Sequence, residues 1–274
     1  DNDDFDYSLI SNYWEYVEDD ADPQDEYGHG THVAGIVAAQ ADNANKIAGL
    51  AWNCRILNCR VGDADGSISV FDAANAVEDA ADAGADILNL SFGGTSTWSG
   101  FSNACDYAYG LNCILVASSG NDNSSATYYP ASYDCFIAVG ATDETDARCD
   151  FSNYGPHLDV VAPGEGILST FEDTTAAWDG TSMATPMVSA LSALLVQFWP
   201  GISNEFVHLW IEATADDEVG DPAEDVPGFD NYMGHGRINF GRAVSMAVCA
   251  STCTLTSAVA ESPTPIALLK PFYW

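Results

Sequence analysis

From Gly28 to Thr214 the chain alternates short apolar runs with small-residue or amphipathic segments, and this alternation constrains the fold more than any other feature. His32–Gln40 reads as a small-residue helix, Cys54–Val61 as a strand and Val70–Ala83 as a helix. Asp86–Ser91 then reads as a strand, Phe101–Tyr109 as a helix and Cys113–Ala117 as a strand, with short strands at Phe136–Gly140 and Asp159–Ala162. Thr181–Phe198 and Asn204–Thr214 read as the last two helices. Strands joined by crossover helices form parallel sheets covered on both faces. The expectation is an α/β fold: a doubly wound, mainly parallel sheet with helices on both faces. In such sheets chemistry gathers at the carboxyl ends of strands, where Gly93-Gly94 and Gly120-Asn121 fall.

At 274 residues the chain can bury one large core. Residues 1–248 are expected to form one domain, its first 28 residues acidic and turn-rich. Residues 249–274, with Glu261-Ser-Pro-Thr-Pro265 in their middle, read as a tail or linker. Forty-one acidic residues against 7 basic ones give a net charge of −34. That charge repels polyanions, so nucleic acid is excluded as a partner. The carboxylates suit either a high-salt surface or bound Ca²⁺. No apolar run reaches the ~18 residues that a membrane span requires, and no leader-like stretch is present, as expected of a processed or trimmed chain. Eight cysteines without a Cys-x-x-Cys pair point to disulfides in an exported protein. Cys105/Cys113, Cys135/Cys149 and Cys249/Cys253 are the local pairings to expect, and Cys59 reads as a buried thiol.

Two blocks carry the chemistry. His29-Gly30-Thr31-His32-Val33-Ala34-Gly35 places an imidazole on a glycine-flanked turn before a helix, and Gly180-Thr181-Ser182-Met183-Ala184-Thr185-Pro186 does the same for a hydroxyl. A serine and a histidine within hydrogen-bonding reach form the core of nucleophilic acyl transfer. Between the blocks lies Ser118-Ser119-Gly120-Asn121, a strand end that offers an amide donor. The order Ser-Gly-Asn between the His and Ser blocks resembles the subtilisin-like serine proteases over roughly residues 4–246. That resemblance implies a serine endopeptidase acting on protein or peptide substrates, with His29 as general base, Ser182 as nucleophile and Asn121 in the oxyanion hole. A non-catalytic or weakly active relative that binds extended peptides is the alternative. His32 is assigned a structural role.

The resemblance also implies binding residues. Ser91, Phe92 and Gly93 would pair with extended substrate, and Ala117, Ser118 and Ser119 would wall the pocket for the residue before the scissile bond. Tyr128 would lie at the floor of that pocket and narrow it. Two Ca²⁺ loops similar to those of thermitase-like members are expected. One would use Glu15, Glu18, Asp20, Asp22 and Gln24; the other Asp4, Gln40, Asn43, Asn45 and Ile47. The family's catalytic aspartate ends a strand in an Asp-x-Gly turn upstream of the histidine block. Asp1, Asp3 and Asp6 lie in no such context, so no catalytic aspartate is assigned. Its strand is expected as an upstream or separately cleaved piece, alongside an upstream propeptide. Without that strand the sheet lacks a central member.

Overall fold

The computed structural model describes residues 2–18, 24–254 and 265–270, apart from the side chains at 12–13 and from 251 onward. In chain order the elements are β1 (Ile10–Glu15), α1 (His29–Ala38), β2 (Arg55–Arg60), α2 (Val70–Asp82), β3 (Ile87–Leu90) and α3 (Ser99–Gly110). There follow β4 (Ile114–Ser118), β5 (Phe136–Thr142), β6 (Val160–Pro163), β7 (Ile167–Phe171), β8 (Thr174–Trp178) and α4 (Thr181–Phe198). The chain continues with α5 (Asn204–Thr214), α6 (Phe240–Thr254) and β9 (Pro265–Lys270).

The main sheet runs β1-β2-β9-β3-β4-β5-β6, and all of its pairings are parallel. Alternate strand residues point to opposite faces, and the core divides accordingly. Ile87, Val116, Ile137 and Val139 join residues of α1, α4, α5 and α6 on one face. Leu88, Leu90, Leu115 and Ala138 meet α2 and α3 on the other. The doubly wound α/β architecture is the one expected. Helix α4 is long and apolar enough to cross a membrane by length and composition, but 72% of it is buried as the core helix. Its buried hydroxyls bond back one turn, Thr185 Oγ1 to Thr181 O at 2.7 Å and Ser192 Oγ to Val188 O at 2.9 Å, which satisfies them without water.

Five elements escaped sequence reading. Strand β1 lies in the stretch expected to be turn-rich; its register shifts between Asn12 and Trp14, which breaks the alternation that marks a strand. The β7–β8 hairpin turns at Glu172-Asp173 with Glu172 at φ 46, without the glycine that usually signals such a turn. Helix α6 runs across the expected boundary at 248. Residues 249–274, expected as tail or linker, supply β9, which sits between β2 and β3 in the middle of the sheet. A parallel slot selects for backbone partners and apolar residues, and Ile266-Ala-Leu-Leu269 offers both wherever it stands in the chain.

The expected disulfides are a correction. Cys54, Cys105, Cys113, Cys135 and Cys149 are thiols. Cys149 packs on one face of the sheet and Cys135 on the other, so the sheet separates that pair. The Cys113 thiol instead donates to Ala85 O at 3.1 Å. Burial pushes the Cys54, Cys135 and Cys149 thiols up to about 12, which leaves them un-ionised and slow to oxidise. The side chain of Cys253 lies outside the described residues.

Candidate active site

Both signature blocks open a helix, and each begins with a glycine in a conformation that other residues rarely adopt. Gly28 stands at φ 92 before α1 and Gly180 at φ 153 before α4. A Cβ on Gly28 would also lie 2.3 Å from the Phe171 ring. The two helices share one core cluster. Trp178, four residues before Ser182, ties them together. Its ring stacks on His32 at 4.8 Å and lies 5.9 Å from His29. His32 Nε2 meets Ala176 O at 3.0 Å, consistent with the structural role expected of it.

His29 is fully buried, and burial lowers it to about 3, against a raising pull from Asp25 and a further push down from His32. It is therefore neutral across ordinary pH, the form that can accept a proton. Asp25 also holds the start of α1. Its carboxylate accepts Gly28 N at 2.9 Å, Thr31 N at 2.6 Å and Thr31 Oγ1 at 2.8 Å, bonds that serve the unsatisfied N–H groups of a helix start.

Ser182 is buried, and its hydroxyl donates to Ser91 O at 3.0 Å. It sits in the first turn of α4, where a backbone N–H has no intrahelical acceptor and faces the positive end of the helix dipole. Asn121 is clamped beside it: its Oδ1 accepts Thr181 N at 2.9 Å and Thr181 Oγ1 at 3.0 Å. With the amide oxygen engaged, the Nδ2 group is left as the donor end. Asn153 braces the same loop, donating to Ser119 O at 2.9 Å and accepting Asp122 N at 2.9 Å and Ser124 N at 3.0 Å. Thr181, Asn153, Asp25 and Trp178 were missed in the sequence. Thr181 lay in plain view inside the serine block, whereas nothing local marks Asn153 or Trp178.

A cavity of about 640 Å³ opens beside this centre, lined in part by Phe92, Gly93, Tyr128 and Asn153. The Tyr128 ring lies against two glycines: a Cβ on Gly93 would come within 2.4 Å of it, and one on Gly120 within 3.0 Å. The ring therefore fills the gap between the ends of β3 and β4. Of the expected binding segment, Ser91 is buried with its carbonyl engaged by Ser182, and Gly94 is already paired both ways with Tyr129 at 2.8 Å. Ala117, Ser118 and Ser119 are buried at the end of β4.

The expected Ca²⁺ ligands divide. Asp4 is fully buried, its carboxylate accepting Asn43 Nδ2 at 2.7 Å and Ile47 N at 2.9 Å, while Gln40 N donates to Asp4 O at 2.8 Å. Gln40 and Ile47 thus meet Asp4 through their backbone N–H groups, and the buried Asp4 carboxylate with the Asn43 amide fits a hard cation once that amide turns its oxygen inward. Asn45 donates its N–H to Asn43 Oδ1 at 3.0 Å. In the other loop Glu15 is also buried, but it accepts Val17 N at 2.7 Å and Glu18 N at 2.5 Å and faces Arg60 at 3.8 Å. Arg60 thus supplies the positive charge there, and Glu15 does not fit as an open ligand. Glu18 and Gln24 are exposed, and Asp20 and Asp22 lie outside the described residues.

A parallel α/β sheet that gathers a serine and a histidine at two helix starts, with a clamped asparagine alongside, has the architecture of an α/β serine hydrolase. The model of the Subtilase family matches residues 1–236. The chain is 44% identical over 243 residues to the thermophilic serine proteinase of a Bacillus species, a match covering 88% of this chain and 58% of the relative. It is 42% identical over 232 residues to thermitase of Thermoactinomyces vulgaris, covering 84% and 80%. The fold matches that of a protease from Pseudoalteromonas arctica with a TM-score of 0.78 and 25% identity, over 90% of this chain and 86% of that one. The chain belongs to the subtilase family, the subtilisin-like serine proteases.

Proposed function

We propose that the protein is an exported serine endopeptidase in which Ser182 attacks the scissile carbonyl and His29 carries the proton. The observation that supports this best is the Asn121 clamp. With Oδ1 held by Thr181, the Nδ2 donors and the Ser182 N–H make two fixed donors for the developing oxyanion. The Ser182 hydroxyl leaves Ser91 O by rotation about χ1 and passes its proton to neutral His29 as the Oγ–carbon bond forms. His29 then gives that proton to the leaving amine, and water repeats the cycle on the acyl-enzyme. Labelling with a fluorophosphonate probe in Ca²⁺ tests the assignment: covalent label on Ser182 supports it, and no label on folded protein overturns it.

One observation favours the alternative of a peptide binder without turnover. Lys270 ends β9, in register with Arg60, at the carboxyl end of the middle strand. By the family resemblance an aspartate ends a strand before the histidine block, and β9, Pro265-Ile-Ala-Leu-Leu-Lys270, holds no carboxylate. Retention of a substrate peptide with no label and no cleavage would select that reading.

Specificity rests on Tyr128. Its ring, wedged between Gly93 and Gly120, restricts the pocket before the scissile bond to small side chains. Tyr128→Ala is expected to raise the kcat/KM ratio of large over small residues at that position roughly 10-fold or more. An unchanged ratio would place the pocket elsewhere.

Ca²⁺ is the cofactor, held by Asp4 with Gln40, Asn43, Asn45 and Ile47, where it ties the N-terminus to the loop after α1. At roughly 100 times its dissociation constant a bound ion adds about 2.7 kcal/mol. Chelation should therefore lower the melting temperature by roughly 5–10 °C, and Asp4→Asn should abolish that difference. A melt insensitive to both would remove calcium from this site.

A further inference from the structure

We propose that Asp159, His208 and Glu212, with His235 at the edge of the group, form a site for a divalent transition-metal ion of the zinc class, outside the acyl-transfer machinery. His208 and Glu212 stand one turn apart on α5 and so share a face. Asp159 immediately precedes β6. Its Oδ2 accepts Ala138 N at 2.6 Å and its own N–H donates to Ala138 O at 3.1 Å, which fixes the carboxylate and leaves Oδ1 beside His208. His235 N donates to Asp159 O at 2.7 Å. This close approach depends on Gly234, at φ +63, where a Cβ would lie 2.3 Å from Asp159 O.

The spacing favours a cation. His208 Nε2 lies 3.4 Å from Asp159 Oδ1 and 3.3 Å from Glu212 Oε1, and His235 Nε2 lies 3.6 Å from Glu212 Oε1. A charge-assisted N–H···O bond would measure about 2.7–2.9 Å. Donors at about 2.0–2.1 Å from a tetrahedral ion stand roughly 3.3–3.4 Å apart; the ligand atoms of Asp159, His208 and Glu212 lie within 4.8 Å of one another, and His235, which reaches Glu212, swings inward to complete the set. His208 Nε2 is sealed from water and makes no hydrogen bond, and one ring nitrogen flanked by two carboxylate oxygens has at most one proton to offer them. Two carboxylates and two neutral imidazoles carry a charge of −2, which a divalent ion cancels. Imidazole donors suit zinc, cobalt or nickel, whereas Ca²⁺ and Mg²⁺ take oxygens. The exposed side of His235 is the way in; its side chain is 38% exposed against 16% for Glu212.

The ion would join α5, the start of β6 and the 229–236 turn, three segments otherwise held by the surrounding core.

The test uses the full chain as Ser182→Ala, which prevents self-digestion, stripped with chelator and held in excess Ca²⁺. Titration calorimetry with Zn²⁺ and metal analysis after dialysis should give one zinc per chain, and Co²⁺ should produce a visible ligand-field band. His208→Gln and the half-exposed, readily tolerated His235→Asn should each weaken zinc binding on the order of 10–100-fold and remove the band. Absence of zinc binding at roughly micromolar metal would overturn the proposal and leave a His208 ion-pair cluster in its place. Binding unaltered in both variants would overturn it equally, because the ion would then sit elsewhere.

Discussion

Ser182→Ala is expected to lower peptide-bond turnover on the order of 10⁶-fold while leaving the fold intact, a magnitude taken over from subtilisin, a member of the same family. The reason for expecting it here is local. Among the described residues the Ser182 hydroxyl has one hydrogen bond, to Ser91 O, so its removal leaves that buried carbonyl short of a donor. That costs about 1–3 kcal/mol of stability, a modest part of a domain's total of about 5–15 kcal/mol. Asn121→Ala removes one oxyanion donor and the Thr181 clamp together, so it should cost roughly 10²–10³-fold in kcat with little change in KM. Assays of cleavage, with melting curves as the control for folding, check both. A Ser182→Ala chain that retained activity would put the nucleophile elsewhere.

Ending the chain at Thr254 is the change with the largest expected effect on stability. Strand β9 pairs with β2 at six positions and with β3 at four, so its loss opens the middle of the sheet and parts β1-β2 from β3-β4-β5-β6. Each backbone group left buried and unpaired costs about 1–3 kcal/mol, and several such groups exceed the whole stability of a domain. The truncated chain should lose its cooperative melt and aggregate through the two new edges. Leu268→Pro is the graded version: it removes one ladder N–H and should lower stability by at least about 1–3 kcal/mol. Circular dichroism and size-exclusion chromatography read both variants. A truncated chain that melts like the full one would show that the slot closes without β9.

Much of the fold was legible because periodicity is a local property. Helices α4 and α5 were read to their exact residues, and α2, β2, β3, α3 and β4 within two at either end, since alternating and helical apolar patterns are written in consecutive residues. Strand β9 was not legible. Ile266-Ala-Leu-Leu269 looks the same in a loose tail as in a sheet, and only the slot between β2 and β3 distinguishes them. The disulfide expectation failed for a related reason: spacing along the chain brings Cys135 and Cys149 close, while the sheet lies between them.

By itself the sequence determined the α/β class and the family, and it singled out His29, Asn121 and Ser182 as the residues to test, because glycine-flanked blocks before helices are short-range signals. Tertiary structure alone decided that Thr181 orients Asn121, that Tyr128 wedges between two glycines, and that Asp159 meets His208, Glu212 and His235. Most of those contacts join residues tens of positions apart. Their energies depend on distance and burial, which a linear pattern does not contain until the chain has folded.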